Sequence, residues 1–336
     1  MKNSIIEYSA RIGRDSSLVQ GAGGNVSWKD GDILYVKASG TWLADAEEKD
    51  IFVAVDLADL RTHYSQGRFD ATPLVIGNSE LRPSIETLLH AVMPQKVVVH
   101  THPIDALSFL VKTNCTDLLH SAIGDAFGWA FVEYHKPGPE LGAAVHRVIS
   151  EASKAPDVIF LANHGVIVAG DELESIKEIY QSLQRRLACP SREFELPPLS
   201  GVPSILAEIG YVLPTDKSIQ KLAFDPACQV IMLRHWAIYP DHVVFLGGQP
   251  NLYNSPEQLI SMLDSPEASL PGYAIIPQYG VFIQDNLNEN KLAMLKCFEE
   301  VLARLSEADD IRSLSEGDVL QLLDWEAEKY RSRIAK

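Results

Sequence analysis

The segment Val97-Val98-Val99-His100-Thr101-His102-Pro103 constrains this chain more than any other. Consecutive β-branched side chains are stiff and favour an extended backbone, so the valine run reads as a buried strand. Side chains at i and i+2 of a strand point to one face, so His100 and His102 project together at its end, close enough to share one ion. Another apolar run, Val158-Ile159-Phe160-Leu161, leads into Ala162-Asn163-His164-Gly165, and Val166-Ile167-Val168 follows. His164 therefore also stands at the end of a buried strand. Three protein ligands with the fourth position open form the catalytic type of zinc site, and these three imidazoles fit it. Another divalent transition metal suits the same donors. Any one of these histidines alone reads better as a hydrogen-bonded core or surface residue. The HxH after a valine run, joined by a strand-end His-Gly, points to metal.

The remainder is ordinary globular sequence. A chain of 336 residues suggests roughly two domains. Its formal net charge is −16, which argues against nucleic acid and against a broad anionic membrane surface, since both require clustered Lys and Arg. Cys115, Cys189, Cys228 and Cys297 form no CxxC pair and are too sparse for a disulfide framework. The first residues carry no apolar leader, and no window is apolar enough for a membrane helix. The cytoplasm is the expected compartment.

Periodicity predicts a helix over 3–20, strands over 33–36 and 52–55, a helix over 84–92, and helices over 139–155 and 172–189. Prolines at 190, 197, 198 and 203 mark a linker over 190–203. The expected units are therefore 1–190, carrying the histidines, and an α/β extension over 204–336 without metal ligands. That extension reads as a degenerate repeat. Pro94–Val99 is echoed by Pro240–Phe245, and Val158–Ile167 by Gly272–Val281, with Leu246, Gly248 and Tyr279 at the places of His100, His102 and His164.

Glu86 lies just before the valine strand, where a carboxylate beside a Lewis acid serves as general acid or base. An exposed helix glutamate is the plainer reading of Glu86 alone. The loop Gly21-Ala22-Gly23-Gly24-Asn25-Val26-Ser27 is not a dinucleotide fingerprint, because no strand precedes it and its spacing is not GxGxxG. With Lys37-Ala38-Ser39-Gly40-Thr41 it offers amides and hydroxyls that suit a phosphate or carboxylate, although plain turn glycines account for either loop by itself.

The ordered motifs GGNVS (23–27), KASG (37–40), RPSIE (82–86), VVVHTHP (97–103) and ANHGV (162–166) resemble the class II aldolase and adducin family. The resemblance covers about residues 3–190. It implies a three-layer αβα sandwich with a mostly antiparallel central sheet, a bound zinc and a homo-oligomer, often a cyclic tetramer. Carried over by motif, His100, His102 and His164 match the zinc ligands and Glu86 the catalytic acid/base. Asn25, Ser39, Gly40 and Ser84 match positions that hold a substrate phosphate. Ser84 is followed by Ile85 where sugar-phosphate aldolases tend to carry a second hydroxyl, so an unphosphorylated sugar or sugar acid stays open. Tyr134 is the candidate for the tyrosine that some members use. The later part of the chain, to its tail at 323–331, is similar to the aldolase part of bifunctional rhamnulose-phosphate aldolase/short-chain dehydrogenase proteins, with no dehydrogenase expected to follow.

The resulting expectation is a zinc-dependent lyase that cleaves a C–C bond of a ketose or ketose phosphate through a metal-stabilised enediolate. A decarboxylase or epimerase using the same intermediate is the alternative. An adducin-like binding module and an unrelated HxH metallohydrolase are the rivals. The scaffold has no need of three histidines and a glutamate, and the hydrolase would want a longer βα series.

Overall fold

The structure is a computed structural model and describes residues 2–263 and 269–334. The first half runs α1 (Lys2–Gly13), β1 (Asn25–Asp30), β2 (Ile33–Lys37), β3 (Phe52–Asp56), α2 (Leu57–Ser65), α3 (Thr87–Val92), β4 (Val97–Thr101), α4 (Ile104–Leu110), α5 (Cys115–Ile123), β5 (Trp129–Val132), α6 (Pro139–Glu151), β6 (Val158–Leu161), β7 (Gly165–Gly170) and α7 (Leu173–Arg186). Its seven strands form one sheet in the order β3-β2-β1-β4-β7-β6-β5. Every pairing is antiparallel except β5 with β6.

The period-2 rule sorts the central strand. Val97 and Val99 face α1 and α7, packing with Ile5, Tyr8, Ile176 and Leu183. Val98 faces the opposite layer, with Leu88 and Leu89 of α3 and Val145 of α6. Helices on both faces therefore bury the valine run completely, each side chain contributing about 1.5 kcal/mol or more. His100 shares parity with Val98, so its ring points toward the layer from which α3 approaches. The expected αβα sandwich with a mainly antiparallel sheet is what forms.

Residues 188–203 carry neither helix nor strand. Beyond them lie α8 (Ser204–Ala207), β8 (Tyr211–Val212), α9 (Lys221–Phe224), α10 (Pro226–Arg234), α11 (Pro240–Leu246), α12 (Pro256–Leu263), β9 (Tyr273–Ile276), β10 (Gly280–Gln284), α13 (Glu289–Leu302), α14 (Glu316–Asp324) and α15 (Glu326–Ile334). The strands form a sheet of order β8-β10-β9. Ile104, Leu107 and Val111, on α4 and at its end, join the core built around Phe298, Leu295 and Val243, so the halves share buried surface.

Several sequence expectations shift. The first helix stops at Gly13, where a Cβ would lie 2.3 Å from the Ala44 nitrogen. The helix expected over 84–92 begins at Thr87 because 83–86 are tied elsewhere: Ala38 pairs with Pro83, and the Ser84 N–H donates to the Lys37 carbonyl at 3.1 Å. The helices expected over 139–155 and 172–189 span 139–151 and 173–186. The proposed echo divides. Gly272–Val281 matches Val158–Ile167 in form: β9–β10 and β6–β7 are both antiparallel hairpins, with Gln278 (φ 66°) and Asn163 (φ 53°) turning each. Pro240–Phe245 does not match Pro94–Val99, because it is helical, with Pro240 in the first turn where a missing N–H costs nothing.

Candidate metal centre

The site forms where β4 ends beside the β6–β7 turn. His100 is in register with Ile167 and Thr101 with Val166, so the turn carrying His164 sits against the end of β4. Asn163 takes the left-handed conformation there, and its Nδ2 donates to the Ile238 and Arg312 carbonyls at 2.9 and 2.7 Å. Gly165 permits the close approach, since a Cβ would stand 2.5 Å from the Thr101 carbonyl and 2.7 Å from the His102 ring.

The sequence-predicted histidines converge. His100 Nε2 lies 3.3 Å from His164 Nε2 and 3.1 Å from His102 Nε2. All three residues are buried, and a ligand atom from each lies within 4.8 Å of the others. His100 Nδ1 is 3.1 Å from the Val166 carbonyl, which can only accept, so its proton sits on Nδ1 and its Nε2 lone pair faces inward. Burial pushes the His100 imidazole well below its usual value, the Glu86 carboxylate opposing. Buried lone pairs at these separations repel one another unless a cation or a proton stands between them. The donor set therefore fits a divalent ion with nitrogen preference.

Glu86 is aimed at the same point. It occupies the N-cap position of α3, and its Oε1 lies 3.3 Å from His164 Nε2 and 3.6 Å from His100 Nε2. Among the described residues Oε1 meets only the imidazoles, whereas Oε2 accepts from Asn25 Nδ2 at 2.7 Å. Burial alone would push this carboxyl up. The imidazoles of His100, His164 and His102 outweigh it and hold the group well below the usual carboxylate range.

Of the other predicted residues, Asn25 and Ser84 contact Glu86, while Ser39 and Gly40 lie on the loop that meets Arg82 and α15. Asn25 opens β1 opposite His100, and Ser84 Oγ accepts from the Glu86 N–H at 3.2 Å. The Ser39 N–H donates to the Arg82 carbonyl at 2.9 Å, while its buried hydroxyl has no partner among the described residues. Gly40 follows with φ 79°, directly under Ile334 of α15. Lys37 ties the two loops together, Nζ donating to the Ala22 and Thr41 carbonyls at 2.9 and 2.7 Å. Burial, aided by the Arg331 charge, pushes Lys37 down to about 7. Tyr134 is not among this group. Its ring packs on the C-terminal core with Asp318 and Glu140 as its charged neighbours.

The family model for the class II aldolase and adducin N-terminal domain matches residues 3–189. The chain belongs to that family. The match ends just after α7, so family membership is shown for the half that holds the histidines. L-fuculose phosphate aldolase of Methanocaldococcus jannaschii is 29% identical over 166 residues, covering 47% of this chain and 78% of that one. The uncharacterized oxidoreductase YuxG of Bacillus subtilis is 28% identical over 187 residues, covering 51% of this chain but only 27% of that longer protein. A class II aldolase domain from Thermoplasma acidophilum has been solved. It shares 28% identity and a TM-score of 0.44, covering 55% of this chain and 89% of its own. Class II aldolases are metal-dependent, and the cluster of His100, His102 and His164 is able to hold a metal.

Three residues at the site lie outside the family segment, and motif reading did not find them. Asp241 of α11 approaches His102. Arg331 and Glu328 of α15 are buried beside Asp241. Asp241 and Arg331 meet only through long-range packing, on separate helices. Among the described residues, no helix is long and apolar enough to cross a membrane.

Proposed function

We propose that this protein is a metal-dependent lyase that cleaves a carbon–carbon bond of a ketose or ketose phosphate. His100, His102 and His164 would hold the ion, and the nitrogen donor set favours zinc. When bound, such an ion supplies a Lewis acid for the negative charge that develops on substrate oxygens. The chain's own residues do the rest. Glu86 moves the proton at Oε1, its unpartnered oxygen, while Asn25 Nδ2 holds Oε2 and so fixes the carboxyl's rotation. Ser84 supports the Glu86 backbone, and Ser39, with its unpartnered hydroxyl, joins Asn25, Ser84 and the turn at Gly40 as the anchor for a substrate phosphate or carboxylate. A decarboxylase or epimerase would use the same groups. We include in this reading a cytoplasmic homo-oligomer, checked by sedimentation, and a chain of two units, 1–190 and 204–336.

The supporting observation is the convergence of the Nε2 atoms at 3.1 and 3.3 Å, with His100 Nδ1 bonded outward. The test is aldol cleavage by zinc-loaded protein against ketose phosphates, free ketoses and keto acids. Cleavage of at least one compound that stops on chelation is expected. A protein that purifies metal-free without chelator, and cleaves none of them, would instead be the binding module.

A further inference from the structure

The three imidazoles differ at their outer nitrogens. His100 Nδ1 meets a backbone carbonyl, His164 Nδ1 has no partner among the described residues, and His102 Nδ1 faces a carboxylate, Asp241 Oδ2, at 3.4 Å. Asp241 lies in the first turn of α11, outside residues 3–189. Its approach is built into the fold. A Cβ on Gly23 would stand 2.9 Å from Asp241 Oδ2 and 3.2 Å from His102 Nδ1, so the missing side chain opens the way for the carboxylate. Arg331 of α15 then pins it, Nη1 donating to Oδ1 at 2.6 Å and Nη2 to Oδ2 at 2.9 Å. Glu328 flanks the guanidinium at 3.4 Å, and Phe245 lies 5.4 Å beneath it. A bidentate pair of this kind leaves the carboxylate almost no rotational freedom.

A carboxylate at the outer nitrogen of a ligating histidine fixes the tautomer and the ring orientation and raises the basicity of the inner nitrogen. His102 Nε2 is turned toward the cluster, so its proton belongs on Nδ1, toward Asp241. We infer that Asp241, held by Arg331, is a positioning residue that keeps His102 in the Nε2-ligating tautomer, so that the half of the chain outside the family segment completes the metal centre. This rests on the metal-site reading above. A purely structural ion pair between α11 and α15 is the competing account, and it predicts no effect at the metal.

The test is made on full-length apoprotein, reading zinc affinity by chelator competition and the visible spectrum of the cobalt(II)-loaded form. Asp241→Asn is expected to weaken zinc about 10- to 100-fold and to shift the cobalt bands. That variant strands a buried guanidinium, so Asp241→Asn/Arg331→Gln is measured beside it, since it removes both charges together. Wild-type zinc affinity and an unchanged cobalt spectrum in either folded variant overturn the inference and leave the metal site standing. A wild-type protein that binds no zinc overturns both.

Discussion

Gly40 and Ile334 are in direct contact: a Cβ built on Gly40 would stand 2.9 Å from the Ile334 Cβ and 3.1 Å from the Arg331 carbonyl. The last described helix thus rests on the turn proposed to hold the substrate anion, and its Arg331 also reaches Asp241 beside His102. Gly40→Ala adds a side chain at φ 79° and removes the seat of α15. Its expected cost is about 1–3 kcal/mol of stability, with faster tryptic cleavage at Lys329. Urea denaturation and timed proteolysis measure both, and unchanged values would mean that α15 does not depend on this contact.

Glu86→Gln separates proton transfer from metal binding. Gln keeps the shape, and its amide oxygen still accepts from Asn25, but it no longer takes up a proton. Metal content should match wild type while kcat falls about 100-fold or more. His102→Ala should lose both. Turnover by Glu86→Gln at the wild-type rate would remove Glu86 from the proposed chemistry.

Asn163 joins the halves at the turn that carries His164. Its left-handed backbone and its two hydrogen bonds, at 2.9 and 2.7 Å, are separable by substitution. Asn163→Gly keeps the conformation and loses the bonds. Asn163→Ala loses the bonds and strains the turn. Each lost bond leaves a carbonyl of the C-terminal half without its donor, for a total of about 2–3 kcal/mol, and the alanine adds roughly 1 more. Thermal unfolding should rank the proteins wild type, then Gly, then Ala. Equal stability of the two variants would show that the turn carries no conformational demand.

What was legible in the sequence was local. His100 and His102 declare themselves through strand parity, which needs only two residues' separation, and the His164-Gly165 end through a strand followed by a turn. Strand β1 leaves no such pattern, because only Val26 and Trp28 carry its apolar face. Its other face buries Ser27, which meets His90 Nδ1 at 2.8 Å, and Lys29, whose ammonium donates to the Met93 and Gln95 carbonyls. Buried polar residues erase the alternation on which pattern reading depends. Strand β5, Trp129–Val132, leaves none either, being short and mostly half-buried. Pro240–Leu246 misled in the opposite sense: a short apolar run suits strand and helix alike, and here its contacts with α13 and α14 make it a helix. Asp241 and Arg331 lie on separate helices and meet only in three dimensions, so their pairing leaves no spacing to find.

Glu328 gives a pH dependence that can be assigned to one residue. Burial pushes its carboxyl up from 4.5 to about 7, Arg331 opposing and Asp241 and Glu86 reinforcing the rise. Between those values the folded protein keeps a proton that the unfolded chain has released. The folded state therefore binds more protons, and stability falls as pH rises through that window. Below it the residue is neutral in both states and carries no penalty. Above it the penalty is complete, roughly 3 kcal/mol. Glu328→Gln has the same shape, no charge, and no such term. Denaturation at pH 5 and pH 8 should show the variant gaining about 2–3 kcal/mol over wild type on going to the higher pH. If the difference between the two proteins is the same at both pH values, Glu328 titrates normally in the fold.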